Sequence, residues 1–230
     1  MIESAGCFLR FPLQYRDSKN SLHTKIMKQI QDYLQTQGLS CDADTIAVAR
    51  AATQAIIANG QAHIEPQLWQ HAQLPSEWQQ EARIKPLYMA LDSTASRQPA
   101  QSIALYGLHQ ATAQLIRLVQ QGTAQETAIA LNEDNAWQYL AVRTAQSGWA
   151  NIADSTEHWL LIGELHGEHN RRAISQISLP VCGEDGIVYG VLQIEHSQPL
   201  GQEAIANWIG FALGVLPVLQ ALQPNDIEAE

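Results

Sequence analysis

Ala173-Ile174-Ser175-Gln176-Ile177-Ser178-Leu179-Pro180-Val181-Cys182-Gly183-Glu184-Asp185-Gly186-Ile187-Val188-Tyr189-Gly190-Val191-Leu192-Gln193-Ile194-Glu195-His196 is the stretch that decides the fold. Its first run places Ile177, Leu179 and Val181 on one face of a strand, because successive side chains of a strand point to opposite sides. Cys182-Gly183-Glu184-Asp185-Gly186 is turn chemistry, rich in residues that tolerate positive φ. The second run places Val188, Leu192 and Ile194 on one face, with Gly190 between them. Two apolar-alternating runs around such a turn predict an antiparallel hairpin.

Working outward, Gln202 to Leu222 reads as a closing helix, free of charge beyond Glu203 and apolar around its circumference. Upstream, Thr127–Leu131 and Trp149–Ala153 read as short strands, with a helix over Ala136–Gln146 between them. Leu105, Leu108, Leu115, Ile116 and Val119 recur at spacings that predict a long helix over Ile103–Gln121. The sum is an α+β sandwich, a central antiparallel sheet flanked by helices. Further upstream, three- and four-residue spacings predict helices over Ser21–Gln37, Thr45–Ala58, Glu65–Leu74 and Ser76–Leu91. Pro86 is expected to kink or end the last of these.

Charge divides the chain. Residues 1–100 hold nine Lys and Arg against nine Asp and Glu, whereas the remainder holds four Arg, no Lys and fourteen acids. The change, beside the polar stretch Asp92–Pro99, predicts a boundary near residue 97. The expected organisation is a helical N-terminal domain over 1–96, an α+β domain over 97–225 and an acidic tail over 226–230. A net charge of −10 with 13 basic residues argues against a nucleic-acid partner. Three scattered cysteines, Cys7, Cys41 and Cys182, form no CxxC pair and suit reduced thiols in a cytoplasm. Ala204–Asn225 is long enough to span a bilayer. Pro217 inside it, its polar residues and the acidic flank favour a buried helix and no membrane.

Asn151-Ile152-Ala153-Asp154, Gly163-Glu164, Arg172 to Val181, and Gly186 to Ile194 together resemble a GAF domain over about residues 101–222. In that family a strand end leads into a loop helix, then into a strand ending in Pro and a strand opening on Asp-Gly. The resemblance implies a small-molecule cavity between the sheet and the loop helix. By position, Asp154, Trp159, Glu164, Ser175 and Ser178 are the expected ligand-binding residues; the plainer alternative makes Trp159 core and the polar groups caps. Thr127–Leu131 leads almost directly into the mid-domain helix, so the front of the pocket is expected to be abbreviated. The Asn-Lys-Phe-Asp-Glu pattern of cyclic-nucleotide binders and a bilin-attachment cysteine are absent.

His158, His166 and His169, beside Glu164 and Glu168, have no established zinc-binding spacing, so no metal is expected. No resident cofactor is expected either, only an unidentified small molecule. Free-methionine-sulfoxide reductases are GAF enzymes that use several cysteines. Here only Cys182 lies in the domain, so no catalytic residue is assigned and the chain is expected to be non-enzymatic, with a thiol-dependent reductase as an alternative. GAF domains typically dimerise through their first and last helices. That implies a homodimer interface at Leu108, Leu115, Trp208, Phe211, Val215 and Leu219; alternatively the N-terminal helices cover this surface. The expected role is a cytoplasmic regulator whose GAF-like domain senses a small molecule or dimerises, with a protein partner docking through residues 1–96. A ligand-free scaffold is the alternative.

Overall fold

The computed structural model describes residues 17–69 and 74–223. A helical N-terminal part comprises α1 (Asp17–Gln37), α2 (Ala43–Asn59), α3 (Pro66–Trp69) and α4 (Glu81–Arg97). It leads into β1 (Ser102–His109), β2 (Gln114–Gly122), β3 (Ala128–Ala130), α5 (Glu133–Gln138), α6 (Leu140–Ser147) and β4 (Asn151–Ala153). Then come α7 (Thr156–Leu161), a 3-10 helix (Glu168–Arg172), β5 (Ser175–Cys182), β6 (Val188–His196) and α8 (Gln202–Leu222). The strands form one antiparallel sheet in the order β3-β2-β1-β6-β5-β4. Cys7 and the tail over 226–230 lie outside the described residues.

The hairpin forms as expected. Ile177 faces Ile194 and Leu179 faces Leu192 in register. One detail differs: Val181 pairs with Gly190 but Cys182 with Val188, so β6 carries one extra residue. A bulge of one residue reverses the facing of what precedes it. Val188 therefore packs with the α6 side, while Tyr189 packs with the helical side.

The long helix expected over Ile103–Gln121 is instead the β1–β2 pair. Six successive β1 residues, Ser102 to Gly107, are buried. A central strand covered on both faces shows no polar alternation, so its apolar residues fit helical and strand spacings equally well. The chain reverses through Gln110–Thr112, and Ala113 takes a left-handed conformation at φ 49°. These strands supply the front of the sheet, so the abbreviation expected there does not occur. Other bounds also move. The helix expected over Ala136–Gln146 is two, α5 and α6, divided at Tyr139. Of the helix expected over Glu65–Leu74, Pro66–Trp69 forms, and residues 70–73 lie outside the described ones. Ser76–Trp78 is a separate 3-10 turn. α4 runs through Pro86, in its second turn, and takes up the polar stretch to Arg97.

One face of the sheet carries Ile103, Leu105, Ile177, Leu179, Leu192 and Ile194 against α4 and α8, with α2 packed on α8 and α4. This single buried cluster runs from Ile30 to Leu222, across the boundary expected near residue 97. Trp208, Phe211, Val215 and Leu219 are fully buried in it. Leu115 is buried and Leu108 half-buried on the other side of the sheet, near Ala104 and Val142. Trp208, Phe211, Val215 and Leu219 of α8 are thus covered within one chain by α2, α4 and the sheet. α8 is long and apolar enough to cross a bilayer, yet its apolar residues are spent on this interior.

Two details join the layers. Gly210 and Gly214 on α8 face Ala49 and Thr53 on α2 with no room for a side chain between them. At the end of α1, the Gln37 amide donates to the Gly148 carbonyl and accepts from Ala150 N–H, tying α1 to the loop after α6.

Candidate functional site

The opposite face of the sheet is capped by α5, α6, α7 and the 3-10 helix. Its inward-pointing groups are mixed: Ala104, Tyr106 and Val191 are apolar or aromatic, whereas Gln176, Ser178, Gln193 and Glu195 are polar and buried. Between sheet and cap lies a cavity of about 40 Å³, bordered by Tyr106, Glu126, Tyr139, His169, Arg172, Gln193 and Glu195 among others.

Arg172, the last residue of the 3-10 helix, reaches Glu195 on β6 with both edges of its fork. Nε donates to Oε2 at 2.7 Å and Nη2 donates to Oε1 at 2.8 Å. Nη1 donates to the Ala124 carbonyl at 3.2 Å, closing the rim toward β3. The Glu195 side chain is 4% exposed and that of Arg172 29%. Bidentate, charge-assisted geometry is the form in which a desolvated carboxylate is tolerated. The hydrogen bonds to Glu195 hold the guanidinium pKa above its ordinary value.

A relay of amides runs beside this pair. Asn170 Nδ2 donates to the Gln138 and His166 carbonyls at 2.9 and 2.5 Å. Gln176 Nε2 donates to Asn170 Oδ1 at 3.0 Å, and Gln193 Nε2 donates to Gln176 Oε1 at 3.1 Å. Gln193 Oε1 and His169 Nε2 are buried with no protein partner. His169 stacks on Tyr139 with ring centres 4.7 Å apart. Burial, and then the neighbouring Arg172 charge, push the His169 pKa down, favouring the neutral ring. Burial raises the Tyr106 and Tyr139 hydroxyls, which stay protonated.

None of the five ligand-binding residues expected from the sequence borders this cavity. Asp154 is exposed and accepts from Ser155 N–H. Trp159 lies beneath the Arg143 guanidinium and packs with Leu140, Ala153 and Leu165. Glu164 is exposed and paired with Arg143. Ser175 donates to the Gln198 carbonyl, and Ser178 is buried beside β4, opposite Asn151. The histidines do not converge: His166 stacks on Trp137 and His169 on Tyr139. Among the described residues no three His, Cys, Asp or Glu gather as a metal site.

The residues that do form the site had a signal. Gln176 with Ser178, and Gln193 with Glu195, are the polar alternates of the hairpin. Once both faces of its strands are covered, those alternates must be buried and satisfied. Cys182 borders a separate groove of about 660 Å³ beside α1, together with Tyr33 and Trp149. Burial raises the Cys182 thiol pKa, the opposite of what a nucleophile needs.

No protein-family model and no curated protein matches the sequence. Solved structures do match. The GAF domain of a phosphoenolpyruvate-protein phosphotransferase from Acinetobacter aligns over 80% of this chain and 96% of its own, at TM-score 0.51 and 16% identity. Free methionine-R-sulfoxide reductase from Neisseria meningitidis, solved with its substrate, aligns over 79% and 93%, at TM-score 0.53 and 12% identity. The structure of fRMsr of Staphylococcus aureus with substrate aligns over 76% and 95%, at TM-score 0.52 and 11% identity. Identities this low establish a shared fold: the chain carries a GAF-like domain. The aligned share exceeds residues 101–222, so the likeness takes in part of the N-terminal helices. The expectation of a non-enzymatic chain is corrected by the same comparison, because the Neisseria meningitidis and Staphylococcus aureus proteins are enzymes built on this fold.

Proposed function

We propose that this chain is a regulatory protein whose GAF-like domain binds a small molecule in the Arg172–Glu195 cavity. The observation that carries the reading is the buried, bidentate Arg172–Glu195 pair joining the cap to the central sheet beside two unpartnered polar atoms. Charge placed out of water is costly, and such placements concentrate at functional sites. Ligand binding would reposition the cap, and the helical layer of α2, α4 and α8 would carry the change to a protein partner. The free thiols of Cys41 and Cys182 suit a reducing cytoplasm.

The experiment is a thermal-shift screen of the full chain against amino acids, nucleotides, 2-oxo acids, amines and amides. A compound that binds the folded state raises Tm, by several degrees at concentrations far above its Kd. A hit lost in the Glu195→Gln variant supports the reading. No hit across the screen moves the weight to a ligand-free docking scaffold.

A further inference from the structure

We propose that the cavity selects a small hydrogen-bond donor of the amidine, amide or amine class and rejects a carboxylate or phosphate of the same size. This rests on the reading of the cavity as a ligand site.

The argument begins with Asn170. Its amide reaches two backbone carbonyls, Gln138 and His166, and a carbonyl can only accept. The group facing them must be the NH₂, so Asn170 Oδ1 is the acceptor on its other side. Gln176 therefore turns its NH₂ to Asn170 and its oxygen to Gln193. Gln193 in turn must offer its NH₂ to Gln176. The direction of every amide in the relay follows from two main-chain oxygens, and its far end is Gln193 Oε1, an acceptor with no donor. His169 Nε2 is a second unpartnered atom, an acceptor in one neutral tautomer and a donor in the other.

Charge agrees. Among the described residues, Arg172 is the one Lys or Arg bordering the cavity, and its fork is taken by Glu195. Glu126 adds a second carboxylate at the rim. An incoming anion would meet two carboxylates, the bare Gln193 acceptor and a cation already engaged. A donor would satisfy Gln193 Oε1, and a buried acceptor without a partner is costly. The size is also restrictive: 40 Å³ holds about three water-sized groups.

Acetamidine, acetamide and acetate test this directly, because they share one shape and four heavy atoms while their polar edges run from all-donor to all-acceptor. Melting of the full chain is followed with each at matched ionic strength, in wild type and Gln193→Leu. The expected result is a rise in Tm with acetamidine, a smaller rise with acetamide and none with acetate. Gln193→Leu should weaken the acetamidine effect at least tenfold in apparent Kd. Stabilisation by acetate in preference to acetamidine would overturn the ligand class and leave the site intact. An acetamidine effect equal in wild type and Gln193→Leu would place binding elsewhere and overturn the proposal. No effect from any of the three means that water alone fills the cavity; this also overturns the ligand class, while the broad screen decides separately whether the cavity takes a ligand.

Discussion

Gly210 on α8 and Ala49 on α2 stand so close that a Cβ on Gly210 would lie 2.5 Å from the Ala49 Cβ and 2.6 Å from the Ile46 carbonyl oxygen. Small residues at a helix crossing let two backbones approach, and here they bring α2 against a helix that also packs on the sheet. Replacing a helical glycine by alanine ordinarily stabilises by about 0.5–1 kcal/mol. At Gly210 the sign should reverse. Gly210→Ala should destabilise by about 1–3 kcal/mol through overpacking. Urea unfolding of the two proteins checks this, and an unchanged or higher midpoint would refute the crossing.

Arg172→Ala should cost about 3 kcal/mol, the lower end for a broken buried pair, since the guanidinium is partly exposed. The loss comes from the buried carboxylate left behind. A second change, Glu195→Leu, made in the Arg172→Ala background should therefore recover part of it. A double mutant less stable than Arg172→Ala alone would contradict this assignment.

Acid should weaken the fold through His169. Its pKa in the folded state is below its ordinary 6.5, so the unfolded chain binds the proton more readily. Stability is then fully present above about 6.5 and declines as pH falls from there toward the lower folded value. His196 shifts in the same direction by burial and adds to the slope. Denaturation midpoints between pH 7.5 and 5 should fall less steeply in His169→Phe than in wild type. Identical slopes would show that His169 is not the titrating group.

Cys182 should react slowly. Burial first, then the Asp185 charge, raise its pKa, so little thiolate exists near neutrality. Its iodoacetamide alkylation, followed by peptide mass spectrometry, should run several-fold slower than that of free cysteine at pH 7.5. A rate above that of free cysteine would restore the nucleophile that a reductase requires.

The parts of this fold legible in the sequence are those where local chemistry and burial agree. The hairpin was legible because turn residues separate two runs whose apolar faces match across the ladder. β1 and β2 were not, because burial on both sides removed the alternation that marks a strand. The hairpin's own polar alternates misled in another way. Gln176, Gln193 and Glu195 look like a solvent face until α5, α6 and the 3-10 helix are known to lie over them. The loop residues Asp154 and Glu164, chosen by position in the chain, remain in water because the cap turns them outward. Arg172, one residue before the hairpin stretch, becomes meaningful only when β6 places Glu195 opposite it.

Gln37 gives the molecule a mechanical property beyond its contribution to stability. Its single amide grips both sides of the peptide segment that follows α6, while Ile30, Tyr33 and Leu34 of α1 are buried in the core shared with α8. A tilt of α6 must either break this clasp or drag the end of α1 with it. If the proposed site takes its ligand, α1 is the element of the helical layer through which such a tilt would reach the opposite face of the sheet.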